Sequence, residues 1–225
     1  MLILKHKKKI KIIFLIIIGL IINSEKIFSQ SNYGITGGIN YCKLFGNEAP
    51  EYQKPLLRYN TGAFAEFKWG DKANLQFDIK YDLKGGILWD SIKHFINGYY
   101  EVKEKNDYLT FSITYKYNIK QKNSKIFLLY GGSASYLALT ERTFYAESAG
   151  VPVDASFLFS YQYKPYSLDI YVGWGVGFNS IDFDLKYVLG MTSVYGGENA
   201  IVVRNSVISA NMYYKLVKRK KTYSW

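Results

Sequence analysis

Asp182 and Asp184 stand two residues apart in "SIDFDLKYVL", with Lys186 two further on. Carboxylates this close can divide acid–base work, one holding a proton while the other accepts one. Ser91 and His94 offer a second pairing, of the kind a Ser–His hydrolase uses. That chemistry also needs an orienting acid and oxyanion donors, and the sequence marks neither. The other histidine, His6, lies in the extreme N-terminal segment, so a histidine-based metal site lacks ligands. Gly173, Gly175 and Gly177 in "GWGVG" fall at intervals of two with apolar residues between them. Phosphate-binding glycines sit instead in a strand-to-helix turn. These read as strand glycines that make room for large inward side chains such as Tyr171 or Tyr213. Cys42 is the only cysteine, so no intrachain disulfide forms, and it reads as a small buried residue. No cofactor and no enzymatic activity are expected.

The elements carrying these residues alternate with a period of two. In "NLQFDIKYDLKGGI", residues 74–87, Leu75, Phe77, Ile79, Tyr81 and Leu83 oppose Gln76, Asp78, Lys80, Asp82 and Lys84. Successive strand side chains point to opposite faces, so this strand has one apolar and one charged face. The pattern repeats in eight segments, near 33–45, 58–70, 74–89, 108–120, 125–140, 167–178, 180–191 and 204–216. Segment 125–140 is apolar on both faces around "IFLLY". Most segments reach the 9–11 residues a tilted strand needs to cross a bilayer. Short polar turns alternate with long loops, near 46–57, 90–107, 141–166 and 192–203, as in a transmembrane β-barrel. The expected fold is all-β: an eight-stranded antiparallel up-and-down transmembrane barrel over residues 30–217.

Volume decides which face meets which solvent. An eight-stranded barrel has an interior just wide enough for side chains. It cannot hold four to six bulky apolar residues from most strands, so the apolar face is outside, against lipid. The charged face lines the lumen. Glu66, Asp78, Lys80, Lys116, Asp182, Asp184 and Lys186 should form a network of mutually paired charges there, because isolated burial costs several kcal/mol. Tyr33, Trp69, Tyr117 and Tyr214 should mark the periplasmic rim and Trp89 the outer rim.

The formal charge of +11 is concentrated at the ends. Six lysines against Glu25 in the first 29 residues, with Lys218, Arg219, Lys220 and Lys221 near the end, account for nine of those charges. The middle is nearly neutral, which excludes a basic stripe for nucleic acid. Residues 1–29 have a basic start, an apolar run from Ile12 to Ile22 and Ser29 before Gln30. That run is too short to span a bilayer and reads as a cleaved signal peptide. Export of a barrel gives the outer membrane of a Gram-negative bacterium. Residues 218–225 form a basic tail.

"YGITGGINYCKLFG", "NLQFDIKYDLKGG", "DYLTFSITYKY", "KIFLLYGGSASY" and the closing "RNSVISANMYYKL" together resemble the PorT-like outer-membrane β-barrel family of the Bacteroidetes. The resemblance covers roughly residues 33–216. It implies a small barrel of the OmpA/OmpX type and a link to a secretion system. The tail "VKRKKTYSW" departs from the usual barrel ending.

The long loops hold residues suited to interfaces: Tyr52, Arg58, His94, Tyr99, Tyr100, Arg142, Phe144 and Tyr145. The expected role is structural or surface-interacting. The expected partners are outer membrane lipids, the barrel assembly machinery during biogenesis, and an extracellular or secretion-system protein. A soluble lipocalin-like carrier of a small apolar ligand is the alternative, with the two faces inverted. An outer membrane enzyme is a further one.

Overall fold

The computed structural model describes residues 31–46, 52–92, 98–120, 124–148, 151–152, 162–196 and 202–218. The export segment, His94 and residues 219–225 of the tail lie outside the described residues. Twelve strands follow in order: β1 (Ser31–Phe45), β2 (Tyr52–Lys54), β3 (Leu56–Lys68), β4 (Ala73–Ile92), β5 (Gly98–Lys120), β6 (Lys125–Ser148), β7 (Val151–Pro152), β8 (Gln162–Tyr163), β9 (Tyr166–Phe178), β10 (Ile181–Gly190), β11 (Tyr195–Gly196) and β12 (Arg204–Lys218).

Eight of these close a ring. β1, β3, β4, β5, β6, β9, β10 and β12 each pair antiparallel with their neighbours in sequence, and β12 returns to β1. The chain is an eight-stranded up-and-down barrel, and closure leaves the wall without an edge. One end carries tight turns. Trp69 N–H donates to Ala73 O at 2.8 Å across the β3–β4 turn. In the two-residue β9–β10 turn, Asn179 adopts the left-handed backbone at φ 39°. Lys218 is the last residue of β12, opposite Asn32 on β1.

Alternation sorts the side chains as lipid demands. Ile35, Ile79, Phe111, Ile113, Trp174, Phe183 and Met212 are exposed on the outside, while Asp78, Lys116, Asp182 and Asn211 are buried inside. Tyr33, Trp69, Tyr117 and Tyr214 lie exposed near the tight-turn rim. "IFLLY" is divided too: Ile126 and Leu128 face out, and Phe127 and Leu129 face in. Gly175 on β9 makes that possible, since a Cβ there would lie 2.4 Å from the Phe127 ring. The ring taking the space is thus Phe127. Tyr171 is accommodated by Gly131, whose Cβ would lie 2.6 Å from its hydroxyl.

The wall is uneven in height. On β5 the outward apolar run extends from Leu109 to Ile119, one bilayer crossing. The strand nevertheless begins at Gly98 and β6 runs on to Ser148. Much of the expected loops 90–107 and 141–166 is therefore strand. β4 to Ile92, β5 and β6 form a face standing above the membrane, flanked by the short β2 and β7. The polar alternation of "YEVKEKND" against "TERTFYAE" continues the ladder after the apolar outer face has ended.

Candidate functional site

The lumen is filled by paired charges. Lys116, 1% exposed, stands 3.1 Å from Glu66 Oε2 and 3.6 Å from Asp182 Oδ2. Its ammonium lies between two rings, 4.8 Å from the Phe127 centroid and 4.9 Å from that of Tyr213. Lys215 donates to Asp182 Oδ1 at 2.6 Å. Lys186 is 3.3 Å from Asp184 Oδ2 and donates to the Tyr213 hydroxyl at 2.9 Å. Asn211 donates to Asp184 Oδ1 at 2.7 Å, and Gln76 to Asp78 Oδ1 at 2.7 Å. Amides link these clusters. Asn60 donates to Asn40 and Asn211, and Asn40 donates to Asp82. Lys80 makes no ion pair among the described residues. It borders a void of about 20 Å³ with Asp82, Lys84 and Lys186, which is room for one water and too little for a ligand.

Asp182 and Asp184 both belong to this network. Both carboxylates are ion-paired, Asp182 to Lys116 on β5 and Lys215 on β12, and Asp184 to Lys186 two residues on along β10. The carrier alternative needs the apolar faces inside, and they are outside.

A second ordered region covers the mouth on the long-loop side. Leu44, Leu88, Val102, Val194, Tyr195 and Val203 form a buried apolar cluster, with Phe144 and Tyr163 packed against it. β8 and β11 pair through Tyr163↔Tyr195, which zips the β6–β9 connection to the β10–β12 connection. Lys164 N–H donates to Val194 O, and Val194 N–H to Val203 O. Within this cap Arg142 donates from Nε to Glu104 Oε1 at 2.8 Å, with Nη2 at 2.7 Å from the same oxygen. The guanidinium lies 4.7 Å from the Tyr163 centroid and 5.5 Å from that of Tyr195. Burial opposes the Arg142 charge, but Glu104 outweighs it and holds the group above its ordinary pKa. Burial and then the Glu104 carboxylate push the Tyr163 hydroxyl up to about 12, and Tyr195 is raised for the same reasons.

The structure corrects the placement of several loop candidates. Arg142 and Phe144 lie on β6 and belong to the cap, where they hold the protein's own loops. Arg58 lies on β3 and is ion-paired with Asp107 at 2.6 Å. Tyr145 is on β6 and exposed. Tyr52 is on β2 opposite Trp89, and Tyr99 and Tyr100 are on β5, so these are also strand positions.

The sequence matches the family described as "Outer membrane protein beta-barrel domain" over residues 24–196. The chain belongs to that family. No curated protein matches it. Among solved structures it is similar to Neisserial surface protein A, at 13% identity over 82% of this chain and 98% of that one, with TM-score 0.42. It is also similar to Ail, the attachment invasion locus protein of Yersinia pestis, at 9% identity over 82% and 97%, TM-score 0.36. OprG from Pseudomonas aeruginosa gives 10% identity over 82% and 91%, TM-score 0.35. Membership places the protein in the outer membrane, with lipid around its apolar wall.

This outer membrane barrel also has site residues that the sequence reading does not single out. Lys84 donates to Asp169 at 2.7 Å and lies 3.5 Å from Asp82. Those three, with Lys215, sit on the charged faces of alternating segments, so alternation alone could have found them. Glu104, the partner of Arg142, could not be found that way, because it lies beyond the apolar run that marks the strand.

Proposed function

We propose that this outer membrane barrel is a sealed, non-enzymatic scaffold whose role is exercised by the tall face of β4, β5 and β6 above the bilayer. The observation that supports this reading best is the double closure. Ion-paired side chains fill the lumen, and the apolar cap with its Arg142–Glu104 pair covers the mouth. A barrel built to pass or bind solutes inside would keep space for them. The strands that outrun the membrane instead build a rigid outward surface, carrying Glu101, Lys103, Thr143 and Tyr145 side by side on β5 and β6.

The partner is a protein on the cell surface or in a secretion system, as the PorT-like resemblance also implies. Purified protein in planar bilayers should show no stable conductance. A steady ion current would refute the sealed lumen. Replacing residues 90–100 by a short turn should leave a heat-modifiable barrel and remove the surface or secretion phenotype of a deletion strain. An unchanged phenotype would take the tall face out of the function.

A further inference from the structure

The two ends of the barrel carry very different charge. On the long-loop side, residues 43–58, 90–107, 141–164 and 198–204 hold nine Lys and Arg against ten Asp and Glu. On the tight-turn side, residues 68–72, 119–125 and 217–225 hold nine Lys and Arg against Asp71 alone. Surface cations of the first side have partners: Lys54 lies 3.1 Å from Glu101, Arg58 2.6 Å from Asp107 and Lys105 2.7 Å from Glu141. On the second side Lys68 and Lys72 are exposed and Lys125 is half-buried. None of these three takes part in an ion pair among the described residues.

The ladder gathers these cations at one rim. Lys68 ends β3, Lys120 ends β5, Lys125 opens β6 and Lys218 ends β12, with Lys72 in the β3–β4 turn. They span a crescent from β12 across β1, β3, β4 and β5 to β6. β9 and β10 meet at Asn179 and Ser180 with no charge. Each cation stands at the margin of the lipid-facing band. Trp69 lies between Lys68 and Lys72, Ile119 precedes Lys120, Ile126 follows Lys125, and Leu216 is two residues before Lys218; these four apolar side chains are exposed. A lysine stem can lie along such a margin while its ammonium reaches the headgroup layer. Short turns mark the periplasmic end of an outer membrane barrel, so that layer belongs to the periplasmic leaflet. The sequence adds Arg219, Lys220 and Lys221 directly after Lys218.

We propose that this basic crescent gathers anionic glycerophospholipids, of the phosphatidylglycerol kind, around the periplasmic rim of the barrel. Charge complementarity selects them. Unmatched cations beside an apolar wall at headgroup depth fit a head that brings a phosphate charge and no cation of its own. A zwitterionic head carries its own ammonium near the phosphate and gains less. A polyanion out in the periplasm calls for cations projecting away from the wall. These instead flank the girdle of Trp69, Tyr117 and Tyr214, which fixes the rim at the interface.

The full-length mature protein in bilayers of phosphatidylcholine is probed with spin-labelled phosphatidylglycerol, phosphatidylethanolamine or phosphatidylcholine. At low salt the motionally restricted fraction should favour phosphatidylglycerol over phosphatidylcholine by about fivefold, the factor set by one lysine's attraction to an anionic headgroup layer. In about 1 M salt, where the screening length is about 3 Å, the preference should fall below about twofold. That comparison uses the parent protein and needs no variant. Lys68→Gln/Lys72→Gln/Lys120→Gln should lower the low-salt preference to about twofold. Lys43→Gln/Lys164→Gln, on the other end, should leave it at the parent value. Equal retention of the three probes, a preference indifferent to salt, a preference that survives the triple variant, or an equal loss in the control would each overturn the proposal. Salt-sensitive co-sedimentation of the detergent-solubilised protein with peptidoglycan, together with equal lipid retention, would assign the crescent to the cell wall instead.

Discussion

Lys116→Met tests the filled lumen most directly. Methionine keeps the stem between Phe127 and Tyr213 and removes the charge. Asp182 keeps Lys215 at 2.6 Å, so its loss is small. Glu66 loses its one ion pair among the described residues, at 3.1 Å, and keeps the amides of Asn32 and Asn74 at 3.2 and 3.3 Å on Oε1. Removing one partner of a buried ion pair costs about 3–5 kcal/mol. The two retained amide donors place this case near the lower figure. With an m-value of about 2 kcal/mol/M, the urea midpoint should fall by about 1.5 M. The assay is tryptophan fluorescence of protein folded into short-chain phosphatidylcholine vesicles, titrated to equilibrium from both directions. The double variant Lys116→Met/Glu66→Gln removes both charges and should recover to within about 1 kcal/mol of the parent, since replacing a whole buried pair is often close to neutral. A midpoint shift below about 0.3 M for the single variant would refute the reasoning. It would mean that water, rather than Lys116, neutralises Glu66.

Gly175→Val should destabilise by about 1–3 kcal/mol through overpacking against Phe127, and Phe127→Leu should restore part of it in the same urea titration. Phe111→Arg should cost about 2–4 kcal/mol, as a charge facing lipid near the bilayer midplane; a neutral outcome would reverse the faces. Arg142→Met leaves Glu104 buried beside two tyrosines, so the cap should loosen and limited proteolysis should cut between residues 162 and 203 without releasing the barrel from the membrane. The Tyr163 hydroxyl is raised from 10.0 to about 12 by burial and then Glu104. A raised folded-state value means its stabilisation is complete below pH 10 and is lost as pH rises through 12. Phenolate absorbance should therefore show a late-ionising fraction that is smaller by one tyrosine in Tyr163→Phe, while Tyr195 still contributes to it.

The barrel was legible because lipid on one side and a narrow lumen on the other enforce a period of two. Strand β10 shows it plainly: Phe183 and Leu185 outside, Asp182, Asp184 and Lys186 inside. Where the outer solvent becomes water, that constraint lapses. Lys103, Lys105 and Asp107 on β5 alternate with Val102, Glu104 and Asn106 without an apolar stripe, so the segment reads as a loop although it is strand. The cap was invisible for a different reason. Leu44, Leu88, Val102 and the pair Val194 and Val203 come from four separate stretches and meet only after the ring has closed. Arg58 and Arg142 looked like free anchors because their acidic partners lie 49 and 38 residues away.

The charged lumen has a consequence beyond occupying space. β10 and β12 are held in register by Asp182↔Tyr213, Asp184↔Asn211 and Lys186↔Ser209. A one-residue slip of β10 would turn Asp182, Asp184 and Lys186 into lipid together and bring Phe183 and Leu185 inside. A lysine alone costs about 2–4 kcal/mol near the bilayer midplane, and the two carboxylates add to it. An apolar interior would tolerate the slip far better, since apolar residues are accepted on either face. Polar filling thus fixes the ladder with little dependence on turn sequence. The same fixed ladder continues from Lys116 through Thr110 on β5 to Glu104, opposite Arg142. The face above the membrane is therefore aligned by contacts made inside it, which is what a scaffold for an external partner requires.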